Sequence, residues 1–61
     1  MSQLSEKELA SLNDLLSSEE LLVKKFQMLA SHATDADVRC EMEEISKRHQ
    51  DHFNKLYNHL C

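Results

Sequence analysis

Apolar residues recur along this chain at alternating intervals of three and four, the spacing of a helix that packs on another helix. In the first half this line contains Leu9, Leu12, Leu16, Glu19, Val23, Phe26, Ala30 and Ala33, flanked by Leu15, Leu22 and Leu29. In the second half it contains Val38, Met42, Ile45, His49, His52, Leu56 and His59, flanked by Phe53 and Leu60. We call each line a seam. Two seams with polar residues between them predict two amphipathic helices.

The ends of both helices are also indicated by the sequence. Ser5, followed three residues later by Glu8, forms a capping box, so the first helix should begin near Glu6. Asp35 can cap a second helix that starts near Ala36. The chain contains no Gly and no Pro, so nothing else interrupts a helix. The predicted fold is all-α: one hairpin over 1–61, with a helix at about 6–32, a turn at 33–35 and a helix at about 36–60.

Three polar side chains occupy seam positions where packed helices usually place apolar ones: Glu19, His49 and His52. Glu19 lies fifteen residues before Thr34, and His49 lies fifteen after it. A short turn favours antiparallel pairing, so Glu19 and His49 should come level, with His52 one turn further along. We therefore expect one carboxylate to face two imidazoles across the hairpin.

Such a cluster has two interpretations. Helical bundles bind metals with carboxylates and imidazoles that point inward, and this nitrogen-rich set suits Zn, Ni, Cu or Fe better than Mg or Ca. Glu19, His49 and His52 are therefore candidate metal ligands, with Zn or Fe as the ion. Alternatively, Glu19 only accepts a hydrogen bond from His49, and the polar pair determines how the helices align. His32, beside the turn, and His59, near the C-terminus, are expected at the surface.

The length of the chain predicts self-association. A two-helix hairpin of 61 residues is too thin to bury both seams, and small chains usually need partners, metals or cross-links to be stable. Two hairpins related by a two-fold axis would close a four-helix bundle, so we expect a homodimer, with larger assemblies left open. The wide apolar stripe of the first helix also suits a bundle.

Charge and motif content narrow the functional classes. The formal charge of −4 argues against a nucleic-acid surface. No apolar run approaches a membrane span, and the N-terminus lacks a signal-peptide pattern, so we expect an intracellular protein without a membrane partner. Without Gly there is no phosphate-binding loop or nucleophile elbow, and no nucleophilic triad is apparent. A non-enzymatic role is expected.

The two cysteines cannot pair within one chain. Cys40 and Cys61 lie on the same predicted helix, roughly 31 Å apart, which is far beyond disulfide range. Both lie on the side away from the seam. We expect reduced surface thiols, with an intermolecular cross-link as the alternative.

Three stretches of the chain carry a resemblance to a known family: LNDLLSSEELLVKKF (12–26), ATDADVR (33–39) and HQDHFNKLYNHL (49–60). They resemble the ferritin-like, Coat F type spore coat proteins of endospore-forming Firmicutes. The resemblance covers roughly Leu4 to Leu60. It implies half of a ferritin-like bundle, doubled by pairing, in a structural protein of the spore coat that associates with other coat proteins.

The resemblance also bears on the candidate ligands. In ferritin-like proteins a Glu seven residues before an aromatic residue serves the metal, and Glu19 precedes Phe26 by seven. Glu20 is the neighbouring alternative, off the seam. On the later helix such proteins carry a Glu, two further residues and a His; His52 matches that His, whereas His49 replaces the Glu. Because imidazole cannot bridge two metals as a carboxylate does, this departure argues against carboxylate-bridged di-iron chemistry.

Overall fold

The computed structural model describes residues 4–60, which form two antiparallel helices. Helix α1 spans Glu6–His32, helix α2 spans Ala36–Tyr57, and a single 3₁₀ turn, Asn58–Leu60, follows. No strand is present between residues 4 and 60. The prediction of an all-α hairpin is confirmed. The last predicted turn of α2 differs, since it tightens from an α-helix into the 3₁₀ turn.

Side chains at the two N-termini explain where the helices begin. The Ser5 hydroxyl accepts a hydrogen bond from the Glu8 backbone N–H at 3.1 Å, and the Glu8 carboxylate accepts one from the Ser5 N–H at 3.0 Å. The backbone N–H of Ser5, and then its hydroxyl, hold the pKa of the Glu8 carboxyl below its usual value. The Asp35 carboxylate accepts a hydrogen bond from the Val38 N–H at 2.9 Å. These contacts satisfy N–H groups that an uncapped helix would leave without partners.

The seam of α1 lies where the apolar spacing places it. Its buried members are Leu12, Leu16, Val23 and Ala30. Glu19 and Phe26 lie between them and are half-buried. The buried positions recur at intervals of four or seven, so they form one stripe that contacts α2.

The seam of α2 is rotated relative to the prediction. Of the predicted positions, Val38, His52 and His59 are exposed, whereas Ser46, which the apolar pattern passes over, is buried. The Ser46 hydroxyl donates a hydrogen bond to the Val23 carbonyl of α1 at 3.2 Å. A small side chain at this position lets the two helices approach closely, and the stripe facing α1 is therefore Met42, Ser46, His49, Phe53 and Leu56, with the predicted seam residue Ile45 half-buried at its edge.

The hairpin leaves much apolar surface uncovered. Large side chains that are exposed on the described chain are Leu9, Leu15, Leu21, Met28, Leu29, Val38, Tyr57 and Leu60. Neither helix, within residues 4–60, is long and apolar enough to cross a membrane.

Candidate metal centre

Glu19 is the α1 member of the candidate centre. It lies on the seam between Leu16 and Val23, which are both buried against α2, and this packing aims its side chain at the second helix. Only 16% of the Glu19 side chain is exposed. A carboxylate this far from solvent requires partners, because an unpaired buried charge is costly.

Two imidazoles of α2 supply those partners. Nδ1 of His49 lies 2.6 Å from Oε1 of Glu19, and Nδ1 of His52 lies 3.3 Å from Oε2. Residues three apart on a helix share a face, which is why both rings reach the same carboxylate. The predicted alignment of Glu19 with His49 and His52 therefore exists in the fold, and each carboxylate oxygen faces a separate imidazole nitrogen.

The two histidines differ in their surroundings. The His49 side chain is 23% exposed and stacks on Phe26, with ring centroids 5.7 Å apart and an angle of 16° between the planes. His52 lies edge-on to His49, at an angle of 83°, and its side chain is 55% exposed. Packing therefore holds one ring in place, while the other lies at the mouth of the cluster. Such supporting contacts are what orient metal ligands in proteins.

The electrostatic surroundings of the cluster are simple. In the described chain Lys24 pairs with Glu20 on α1, and Arg48 pairs with Glu44 on α2. Both ion pairs are exposed, and the two partners of each pair lie one helical turn apart. Glu20 is thereby placed away from the cluster, so Glu19 is the acidic residue that meets the histidines. Every buried side-chain N or O atom from residue 4 to residue 60 has a hydrogen-bond partner.

The donor set matches what a transition metal requires. Glu19, His49 and His52 each offer one ligand atom, and these atoms lie within 4.8 Å of one another. Two imidazoles and one carboxylate form a set used for Zn²⁺ and for non-haem Fe²⁺. Three protein ligands leave at least one coordination position open, unlike the four ligands of a closed structural zinc site.

The other His residues considered from the sequence, Cys40 and the buried Ser46 lie outside the cluster. His32, His59 and Cys40 are exposed and do not belong to the cluster, while Cys61 lies outside the described residues. Ser46 is the polar seam residue that sequence reasoning missed. A signal was available, because Ser46 continues the alternation of Met42, His49 and Phe53, but an isolated Ser resembles a surface residue of a helix.

Comparison with known proteins gives a similarity to a protein of Bacillus subtilis. The chain is 30% identical over 59 residues to the uncharacterized protein YuzM of Bacillus subtilis (strain 168), an alignment that covers 97% of this chain and 73% of YuzM. No protein-family model matches the chain, and no solved structure matches it. The resemblance to Coat F type proteins therefore stays a prediction.

Proposed function

Since this chain belongs to the same family as YuzM of Bacillus subtilis, whose name states no activity, we propose a function from its own geometry: the hairpin binds one transition-metal ion through Glu19, His49 and His52. The observation that carries this proposal is the convergence of three ligand atoms from both helices within 4.8 Å of one another. Zn²⁺ and Fe²⁺ are the ions that we favour, because both accept imidazole together with carboxylate.

The second histidine distinguishes a ligand set from a simple polar pair. A hydrogen bond between Glu19 and His49 would by itself satisfy the carboxylate and align the two helices. His52 adds a second imidazole at 3.3 Å, on the carboxylate oxygen that His49 does not contact. A device for alignment has no need of this group, whereas a metal ion does.

Metal binding would also stabilise the hairpin. The described residues include four buried apolar side chains, Leu12, Leu16, Val23 and Ala30, which is a small core. An ion held by both helices ties them together and adds its binding free energy to folding, because the unfolded chain holds no preformed site. The proposed role is thus a metal-stabilised helical element, and the proposal includes no catalytic step.

The test is elemental analysis of the untagged protein together with calorimetric titration of Zn²⁺. We expect about one Zn²⁺ per chain, with affinity falling at least about 10-fold in Glu19→Ala and in His52→Ala, as losses at metal sites usually do. Glu20→Ala and His59→Ala are matched controls, because both residues are exposed and lie outside the cluster. A parent protein that binds no metal, or controls that lose as much affinity as the ligand variants, would refute the proposal.

A second candidate function is structural, and it is favoured by the exposed apolar side chains on both helices. In this candidate the hairpin self-associates as a homodimer that closes a four-helix bundle, as a component of the spore coat together with other coat proteins. The exposed apolar area and the resemblance to Coat F type proteins support this structural function. It predicts a stable oligomer without metal, and a Glu19→Ala variant that still assembles. Sedimentation equilibrium of the metal-free protein measures both.

A further inference from the structure

Three of the exposed apolar side chains, Leu15, Leu29 and Val38, lie on one broad side of the hairpin, together with the half-buried Leu22 and Ile45. Leu15, Leu22 and Leu29 each precede a buried seam residue of α1, so they form one stripe beside the seam. Val38, Ile45 and His52 form the corresponding stripe of α2, seven residues apart. We call this side the leucine face; its members are Leu15, Leu22, Leu29, Val38, Ile45 and His52.

The two stripes lie on the same side because of the contacts across the seam. The carboxylate of Glu19 reaches His52 as well as His49, so His52 is on the side of α2 nearest the Leu15 and Leu22 stripe. Side chains on the opposite side line two grooves and include Glu20, Lys24, Gln27, Arg39, Glu43, Lys47 and Gln50. The opposite side of the hairpin therefore carries charged side chains, whereas the six members of the leucine face include no Asp, Glu, Lys or Arg; Lys7 and Glu8 line a groove with Leu15 at one end of the face.

The members of the leucine face come in three levels. The contacts of Glu19 with His49 and of Val23 with Ser46 determine which residues are level. By that alignment Leu29 lies beside Val38, Leu22 beside Ile45 and Leu15 beside His52. The outermost level therefore replaces an apolar residue with a candidate metal ligand.

From this arrangement we infer that a second copy of the chain covers the leucine face, and that metal binding and self-association strengthen each other. The inference rests on the proposed metal-binding function. The chain exposes 4925 Å², which is about 800 Å² more than a compact monomer of its size. Part of that excess comes from the elongated shape, 46 × 16 × 11 Å, and its size is similar to one partner's share of a standard interface of about 1,600 Å².

A second copy fits this face better than a charged partner does. In a two-fold interface the same patch meets itself, so the uncharged leucine face would contact uncharged surface. Contacts through the opposite side of the hairpin would instead take charged side chains such as Lys24, Glu43 and Lys47 out of water. Apolar burial and the cost of burying charged side chains thus favour the same side.

The coupling follows from the position of His52 on that face. Covering the face removes water from the exposed His52 and from the mouth of the Glu19 cluster, and burying polar groups without full compensation is costly. A bound cation offsets the carboxylate charge and takes up the imidazole nitrogens, so the metal-bound face is easier to bury. By linkage, the dimer then binds the metal more tightly by the same factor, typically about 5- to 150-fold.

The test compares two leucines by the same substitution. Leu29→Glu places a charge on the leucine face at the level furthest from His52. Leu21→Glu places it on the far side of α1, at a leucine that is even more exposed, 68% against 41%. Both variants carry one added charge, and circular dichroism checks that both stay helical. The measurement is sedimentation equilibrium of each protein with and without Zn²⁺, together with Zn²⁺ titration at low and high protein concentration.

We expect Zn²⁺ to tighten the dimer of the parent and of Leu21→Glu by at least about 5-fold. In Leu29→Glu the dimer should weaken by about 10-fold or more, while one Zn²⁺ per chain still binds, with reduced affinity. A parent that is monomeric, a Leu21→Glu variant as impaired as Leu29→Glu, or a dimer that is indifferent to Zn²⁺ would overturn the inference. Failure of the metal site itself would be recognised separately, as an absence of Zn²⁺ binding in every variant.

Discussion

Two polar layers lie one helical turn apart in the seam of this hairpin, and they differ in how fully the chain itself satisfies them. In the first layer the Ser46 hydroxyl is buried and donates one hydrogen bond to the Val23 carbonyl. In the second layer the Glu19 carboxylate faces two imidazoles, one of which, His52, is more than half exposed. The serine layer is complete within one chain, whereas the histidine layer has spare donor capacity and access to solvent.

The difference shows how a polar residue in a helical core can be assigned to structure or to ligand binding. A buried hydroxyl that finds a backbone acceptor needs nothing more, and its net contribution is about 1 kcal/mol. A carboxylate with two imidazoles, open on one side, can exchange its contacts with them for a shared cation. Polarity at a seam position therefore does not by itself indicate ligand binding. The informative properties are the number of donor groups that converge and how exposed those groups are.

The largest expected effect comes from making the histidine layer apolar. The double variant Glu19→Leu/His49→Leu should be more stable than the metal-free parent by about 1–4 kcal/mol, because replacing a buried polar pair by well-packed apolar residues is often stabilising. It should also lose the response to Zn²⁺, which in the parent amounts to about 2.7 kcal/mol when free Zn²⁺ is 100 times its Kd. Thermal unfolding with Zn²⁺ and with chelator measures both. If Zn²⁺ still stabilised the double variant, the histidine layer would not be the metal-binding layer, and it would no longer differ in role from the serine layer.

A smaller effect is expected in the serine layer. Ser46→Ala removes the hydrogen bond to the Val23 carbonyl and should lower the free energy of unfolding by about 1 kcal/mol, without changing Zn²⁺ affinity. Ser17→Ala is the matched control, because Ser17 is exposed on α1 and the same exchange there reports only helix propensity. In urea denaturation, the Ser46→Ala substitution should lower the midpoint concentration and leave the slope of the unfolding free energy against urea unchanged. Reduced Zn²⁺ affinity in Ser46→Ala would mean that the two layers act as one unit.

The smallest expected effect is a change of stability with pH, and it arises at Glu8 in the capping box, outside both polar layers. The folded-state pKa of Glu8 is lowered by its hydrogen bonds with Ser5, so the stabilisation that the ionised carboxylate adds is present above its unfolded pKa. That stabilisation is lost as the pH falls through the lower, folded pKa. Glu8→Ala should therefore be less stable than the parent at neutral pH, and the difference should shrink in acid.

The control for the acid experiment is Glu6→Ala, which removes an acidic residue from the same helical turn but leaves the capping box intact. Unfolding curves at neutral pH and below the usual pKa range of Glu provide the comparison. Zn²⁺ affinity at neutral pH should be the same in both variants and the parent. An unchanged gap between Glu8→Ala and the parent in acid would contradict the assigned cause.

Most of the fold was accessible from the sequence because its determinants are local. The capping box of Ser5 and Glu8 and the Asp35 cap are each read within four residues, and both occur in the structure. The meeting of Glu19 with His49 was also accessible, since a short turn leaves one antiparallel alignment and the count from Thr34 is symmetrical. These properties depend on spacing along the chain, which the sequence states directly.

Only the tertiary structure decided how α2 is rotated about its own axis. The apolar stripe of α2 is wide enough for two neighbouring seams, one through Val38 and His52 and one through Ser46 and Phe53. The hairpin uses the second, because the small Ser46 permits close approach and its hydroxyl finds the Val23 carbonyl. That choice leaves His52 at the mouth of the cluster. The rotation of α2 depends on the shape of the α1 surface that it packs against, and the local sequence of α2 contains no information about that surface.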